Sequence, residues 1–155
     1  MPTLEAVNET YFERAPQQFV HTWSIAQPAE TVWDELVSDN ALHWERGLHL
    51  QWTSPRPFGV GTTRRTKLMG GTTTLDEHFF IWEEGRRCAF YATSTNVPTF
   101  KSYAEDYVVE PLGTTHCRFT WRIAITPSTL GRLSAPVNRL MANRTFRDTA
   151  RHFNA

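Results

Sequence analysis

A strand that leads directly into a long helix is the feature that most constrains this chain. Residues 115–126 read THCRFTWRIAIT, and the next 27 residues, 127–153, follow a helical pattern. The apolar residues alternate with polar ones, and they are Cys117, Phe119, Trp121, Ile123 and Ile125. This period of two predicts a strand with one buried and one wet face. A curved antiparallel sheet whose last strand leads into a terminal helix can cradle a ligand.

The remainder of the chain predicts six more strands and two short helices. The strands are expected at 18–25, 48–53, 62–68, 72–83, 87–95 and 102–110, and the helices at 28–37 and 39–45. Strands at roughly ten-residue spacing joined by short turns favour an antiparallel meander. Helices grouped at two places indicate an α+β fold rather than alternating α/β. We expect residues 1–17 to form an N-terminal arm, either loose or carrying a short docked helix, and residues 18–155 to form a single domain.

The terminal helix contains a proline that should interrupt it. Thr126 or Ser128 can cap its start, and Pro136 predicts a kink or a split near residues 134–135. A kink over the sheet would leave room beneath the helix. The residues predicted to share its inner side are Leu130, Leu133, Val137, Leu140, Met141 and Arg144.

The amino-acid composition limits which binding partners and locations we expect. Lys and Arg number 16, as do Asp and Glu, so the balanced charge predicts no nucleic-acid partner and permits either a monomer or a homodimer. The chain shows no signal-peptide pattern and no membrane-spanning stretch, so we expect a cytoplasmic protein. Six Trp, ten Phe and four Tyr exceed what a core of this size needs. They indicate either a thick core or an aromatic-lined pocket.

Three strings resemble one known superfamily. They are IAQPAETVWDEL at 25–36, TLDEHFFIWEEGRRCAFYA at 74–92 and EPLGTTHCRFTWRIAI at 110–125. They are similar to the opening, the paired middle strands and the final hairpin of START-like (SRPBCC) proteins, and most similar to the polyketide cyclase/dehydrase-like branch. The resemblance covers about residues 18–154. It implies a helix-grip fold, in which a seven-stranded antiparallel sheet wraps the C-terminal helix around an apolar cavity, with two short helices after strand one.

The resemblance leaves the function open because the superfamily has no universal catalytic motif. Its members bind lipids, sterols, polyketides or plant hormones, and some catalyse cyclisation, dehydration or hydrolysis. The first hypothesis is therefore a binding protein for an apolar or amphipathic small molecule. The alternative is a cyclase- or dehydrase-type enzyme, and the second alternative is a protein-interaction module with an exposed apolar patch. No cofactor is expected.

Two carboxylates are the candidate catalytic residues. Strand parity carried inward from 115–126 places Glu77 with Phe79 and Ile81 on the concave face, and Glu105 on the same face of a later strand. A carboxylate on an apolar concave face can have a raised pKa, which suits general acid or base catalysis. The alternative interpretation is a salt bridge at the cavity rim, for example with Arg64 or Arg144. A register slip of one residue would instead turn the opposite faces inward.

The same parity and the helix pattern supply the candidate ligand-binding residues. These are His21, Trp23, Trp44, Phe79, Phe90, Tyr103, Tyr107, Trp121, Met141 and Arg144. His21 is either a proton shuttle or a structural histidine, and Trp44 with His43 is either a gate at the cavity mouth or a packed surface pair. Arg144 could orient an anionic head group or lie on a solvated helix flank.

No metal site is predicted. The six histidines form no i,i+4 pair, and no phosphate-binding or nucleophile motif is present. The run Arg64-Arg65-Thr66-Lys67 is interpreted as strand surface. Cys88 and Cys117 are expected to be reduced, because in the helix-grip sheet one strand separates them.

Overall fold

The computed structural model describes all residues, 1–155. Its three helices are α1 (Tyr11–Arg14), α2 (Ala29–Leu36) and α3 (Ala135–Phe153). Its seven strands are β1 (Gln17–Ile25), β2 (His49–Trp52), β3 (Thr63–Leu68), β4 (Thr73–Glu83), β5 (Arg87–Thr95), β6 (Phe100–Pro111) and β7 (Cys117–Pro127). A single 3-10 turn, Met69–Gly71, joins β3 to β4.

The strands form one antiparallel sheet in the order β1-β7-β6-β5-β4-β3-β2. The last strand, β7, lies between β1 and β6, and its Phe119 is opposite Trp23 of β1 and Val109 of β6. Its alternate apolar side chains belong to the main core cluster, which also includes Phe146 and Phe153 of α3. The predicted α+β helix-grip fold, with a seven-stranded sheet and a long C-terminal helix, is confirmed.

In chain order, one of the two early short helices precedes β1 and the other follows it, whereas the sequence predicts both after β1. The stretch 39–45, predicted as a second helix after β1, forms consecutive turns because Leu42 has a left-handed φ of 56° that a continuing α-helix cannot accommodate. The other short helix is α1, which precedes β1. Its Tyr11 and Phe12 pack against small residues on the convex face of the sheet, so the N-terminal segment is docked there.

A bulge in β4 changes which residues face inward. The register with β5 shifts between Phe79 and Ile81, so that Trp82 pairs with Cys88. Trp82 then packs with the main core, whereas Ile81 packs with the convex-face cluster around Tyr11. The prediction that Ile81 shares the concave face with Phe79 is wrong, because the extra residue of a bulge reverses the alternation beyond it.

Helix α3 begins later than predicted. Thr126 and Pro127 continue the β7 ladder opposite Ser102 and Phe100, so neither Thr126 nor Ser128 starts the helix. Pro136 occupies the first turn, where its missing N–H leaves no intrahelical bond unmade, and the predicted interruption near 134–135 is the helix start itself. No helix in the structure combines the length and apolarity needed to cross a bilayer.

The prediction of which side of this helix is buried is also wrong. Leu130 and Leu133 lie in the turns before α3, so their spacing does not belong to the helical period. Both are exposed, as are Val137 and Leu140. The buried side chains of α3 are Ala142, Phe146, Asp148, Thr149 and Phe153, and all but Asp148 follow a spacing of four, three and four residues.

The connection from β7 to α3 rests on the loop before β6, and we expect Gly131→Ala to disrupt it. A Cβ atom at Gly131 would lie 2.0 Å from the carbonyl oxygen of Thr99, which is far inside contact distance. The variant should lose about 1–3 kcal/mol of unfolding free energy in urea titrations, the usual cost of overpacking. Gly59→Ala is the control, since nothing lies within 4 Å of its Cβ position. Equal stability of the two variants would contradict the close approach.

Candidate functional site

A small chamber lies between the concave face of the sheet and α3. Its volume is about 40 Å³, enough for a few atoms or one to two waters. Strands β2, β3, β4, β6 and β7, helix α3 and the segment between α2 and β2 all contribute to its wall. The lining residues are Leu42, Leu48, Leu50, Arg64, Thr66, Leu68, Leu75, Glu77, Tyr103, Glu105, Tyr107, Trp121, Ile123 and Thr145.

A buried ion pair crosses two strands of this wall. Arg64 of β3 pairs with Glu77 of β4 in the sheet register, and its Nε donates to Glu77 Oε2 at 2.6 Å. Both side chains are 1% exposed. Burial opposes the charge of Arg64, but Glu77 and Tyr107 together outweigh burial, so the pKa of the guanidinium is raised. Burial raises the pKa of Glu77, and Arg64 limits that rise.

The guanidinium is also enclosed by aromatic rings. Its central carbon lies 4.6 Å from the ring centre of Phe90, 5.1 Å from that of Phe79 and 5.2 Å from that of Trp52. Ring faces attract cations, which helps to offset the loss of hydration. Nη1 of Arg64 has no hydrogen-bond acceptor, although it is buried. Arg64 therefore keeps one donor for a further partner.

Glu105 of β6 is the second buried carboxylate, and three side chains donate to it. Trp121 Nε1 donates to Oε1 at 2.6 Å, Tyr103 Oη to Oε2 at 2.7 Å, and Tyr107 Oη to Oε1 at 3.3 Å. Burial, reinforced by the charge of Glu77, raises the pKa of Glu105 to about 7 despite these donors. At neutral pH this carboxyl is thus divided between its acid and base forms.

A wider vestibule adjoins the chamber on the side of α3. It has a volume of about 240 Å³ and shares Leu48, Leu68 and Thr145 with the chamber. Its other lining residues are Glu45, Arg46, Gly47, Met69, Gly70, Met141 and Arg144. We refer to these two adjoining spaces as the funnel; its smaller end, the chamber, carries Arg64, Glu77 and Glu105, and its larger end is the vestibule.

A third carboxylate lies at the vestibule. Thr149 of α3 donates to Glu45 Oε1 at 3.1 Å, and Trp44 Nε1 donates to the same hydroxyl at 3.0 Å. Burial raises the pKa of Glu45 to about 8, with a further contribution from the charge of Asp148. The rim of the funnel therefore carries a carboxyl that is largely protonated at neutral pH.

The structure brings together seven of the twelve residues that the sequence singled out. Five of them line the chamber: Glu77, Glu105, Tyr103, Tyr107 and Trp121. Met141 and Arg144 line the vestibule.

The remaining five lie elsewhere. Phe79 and Phe90 are fully buried behind the chamber wall, where they pack against Arg64. Trp23 is buried in the core, and His21 is exposed with its ring 4.6 Å from that of Trp23. Trp44 is stacked on His152 at 4.0 Å outside both spaces.

Among the chamber residues that sequence reasoning missed are Arg64 and Thr66. The sequence predicts strand surface for the run 64–67, but alternation along β3 turns Arg64 and Thr66 inward and Arg65 and Lys67 outward. The possible Arg64–Glu77 salt bridge forms, although it is buried rather than at a rim. The sequence signal that could have placed Arg64 is the Gly70–Gly71 pair in the turn between β3 and β4, because the resulting hairpin sets Arg64 opposite Glu77.

This arrangement can perform two kinds of chemistry. The free N–H of Arg64 can bind an oxygen atom of a polar group that enters the chamber. Glu105, with a pKa near 7 and fixed by three donors, can exchange a proton with such a group.

The sequence matches one family model and is similar to a mycobacterial protein. The family model described as polyketide cyclase / dehydrase and lipid transport matches residues 16–155. The uncharacterized protein Rv2574 of Mycobacterium tuberculosis is 36% identical over 126 residues, which cover 77% of this chain and 72% of that protein.

Two solved structures share the architecture at low identity. A START superfamily protein from Mycobacterium smegmatis aligns with a TM-score of 0.70 and 13% identity, over 86% of this chain and 92% of that one. The ZhuI aromatase/cyclase from Streptomyces sp. R1128 aligns with a TM-score of 0.66 and 14% identity, over 89% of each chain. At such identities the likeness concerns the fold alone.

Proposed function

This chain belongs to the polyketide cyclase / dehydrase and lipid transport family, and we propose that it binds a small amphipathic molecule whose polar end reaches Arg64. The observation that carries the proposal is the buried Nη1 of Arg64, which lacks an acceptor in the chamber wall. A buried donor without a partner costs about 1–3 kcal/mol. A ligand oxygen in the chamber would remove that cost.

The shape of the funnel supports a particular size of ligand. About 40 Å³ in the chamber admits a carbonyl or hydroxyl group with its nearest carbons, whereas the vestibule of about 240 Å³ admits the rest. Both volumes are smaller than the roughly 300 Å³ at which drug-sized ligand pockets begin. We therefore propose a compact lipid fragment or a short polyketide-like molecule rather than a whole sterol.

We expect a blocking variant at the neck of the funnel to lose the ligand. Leu68 lies in both linings, so Leu68→Trp places a larger side chain where the chamber and the vestibule adjoin. Native mass spectrometry of protein incubated with lipid extract should show a retained small molecule in the wild type and none in this variant. Val20→Trp, at an exposed position of β1, is the matched control. Equal retention by both variants would refute binding in the funnel.

A second candidate function is catalysis at Glu105, and its near-neutral pKa in the chamber favours it. Bound next to Arg64, a carbonyl compound would lose or gain a proton at the carboxyl of Glu105, as in dehydration or ring closure. Glu105→Gln should keep binding and abolish turnover of any β-keto substrate that the wild type converts. Unchanged turnover in the variant would refute catalysis at Glu105 and leave binding as the proposed function.

A further inference from the structure

Three metal-ligating side chains from distant parts of the chain meet outside the funnel. Glu35 belongs to α2, His43 to the turns that follow it, and His152 to the last turn of α3. The Nε2 atoms of both histidines face Glu35 Oε1, that of His43 at 3.6 Å and that of His152 in closer contact. The three donor atoms all lie within 4.8 Å of one another.

We propose that Glu35, His43 and His152 form a binding site for a divalent transition-metal ion, with Zn²⁺ as the best match. Two imidazole nitrogens and one carboxylate oxygen are a ligand set that Zn²⁺ prefers. A tetrahedral ion with bonds of about 2.0–2.1 Å needs donor atoms roughly 3.3 Å apart, so small side-chain rotations would suffice here. The fourth position would face solvent, because all three side chains are partly exposed.

The charge around Glu35 supports a cation at this point. The only side chains that form an ion pair with Glu35 are the two imidazoles, and no Lys or Arg nitrogen lies within 4.0 Å of it. Every other carboxylate that forms an ion pair in this structure has an arginine or a lysine as its partner. A divalent ion would supply the missing positive charge.

The surroundings hold the ligands in place. The ring of Trp44 stacks on that of His152 at 4.0 Å and an interplanar angle of 7°, and the ring of His43 meets Trp44 edge-on at 5.4 Å. These ring contacts restrict the rotation of both imidazoles. None of the three ligands lines the chamber or the vestibule. The ion would clip the end of α3 to α2, and the site is thus separate from the proposed ligand.

Calorimetric titration of the chelator-treated, tag-free chain with Zn²⁺ tests the site directly. We expect one ion per chain, and an affinity at least about tenfold weaker in His43→Ala and in His152→Ala. His116→Ala removes an exposed histidine from the β6–β7 turn and should bind as the wild type does. Cys88 and Cys117 are buried, so thiols of the folded chain do not compete for the ion.

Two further measurements guard against a variant that fails to fold. Glu35→Gln keeps the side-chain size and should also weaken Zn²⁺ binding, and Zn²⁺ should raise the melting temperature of the wild type more than that of Glu35→Gln. Cu²⁺ should quench tryptophan emission in the wild type, whereas Trp44→Phe should bind the ion with much less quenching. Absence of stoichiometric Zn²⁺ uptake, or equal affinity in wild type, His43→Ala, His152→Ala and Glu35→Gln, would overturn the site and leave a hydrogen-bonded His–Glu cluster.

Discussion

Arg64→Met is expected to destabilise the protein by about 3–5 kcal/mol, the usual cost of leaving one partner of a buried ion pair uncompensated. The substitution leaves the carboxylate of Glu77 without the Nε donor at 2.6 Å, in a site where its side chain is 1% exposed. It also removes the cation that the ring of Phe90 contacts. Urea unfolding monitored by circular dichroism gives the difference in unfolding free energy.

Two further variants separate the buried charge from the loss of the arginine itself. In Arg64→Met/Glu77→Leu both charges are gone, so most of the lost stability should return. Arg65→Met changes the neighbouring residue, whose ion pair with Asp76 is on the exposed face of the same strand, and should have a far smaller effect. Similar losses in Arg64→Met and Arg65→Met would contradict the burial of the Arg64–Glu77 pair.

Glu105→Gln is expected to remove a pH dependence of stability worth about 2–3 kcal/mol between pH 5 and pH 8. The pKa of Glu105 rises from 4.5 to about 7 in the folded protein, so the folded state holds a proton that the unfolded chain releases. The resulting stabilisation is fully present below pH 4.5 and is lost as the pH rises through 7. The wild type should therefore weaken over this range by more than the variant does.

The comparison between wild type and variant isolates this one carboxyl. Glu45 titrates in both proteins, so its contribution largely cancels in the difference between the two pH profiles. Glu110→Gln, on an exposed part of the same strand, should reproduce the wild-type profile. Parallel profiles for the wild type and Glu105→Gln would show that Glu105 is ionised at pH 5 in the folded protein.

The strands and turns of this fold could be predicted from sequence because their signals are local. Alternation in β7 has a period of two, and its buried apolar face forces a single register. The predictions were wrong where a local pattern was interrupted. The bulge in β4 reversed the side on which Ile81 lies, and the turns before α3 placed Leu130 and Leu133 outside the helical period.

The candidate site could be predicted only in part, for a related reason. Glu77 shares its strand face with Phe79, and Glu105 shares its face with Tyr103 and Tyr107, so their inward direction is visible in the sequence. In β3 both faces are polar around Arg64, so either parity is equally consistent with the sequence. The pairing with β4 decides between them, since it sets Arg64 opposite Glu77.

The sequence by itself determined the α+β class, the antiparallel sheet that ends in β7, and the family resemblance, because each depends on local patterns and on their order along the chain. Only the tertiary structure decided that Arg64 completes the chamber and that Glu35, His43 and His152 meet. Those contacts join residues as much as 117 positions apart. Their formation depends on how α2, α3 and the sheet pack, and that packing leaves no fixed spacing along the chain.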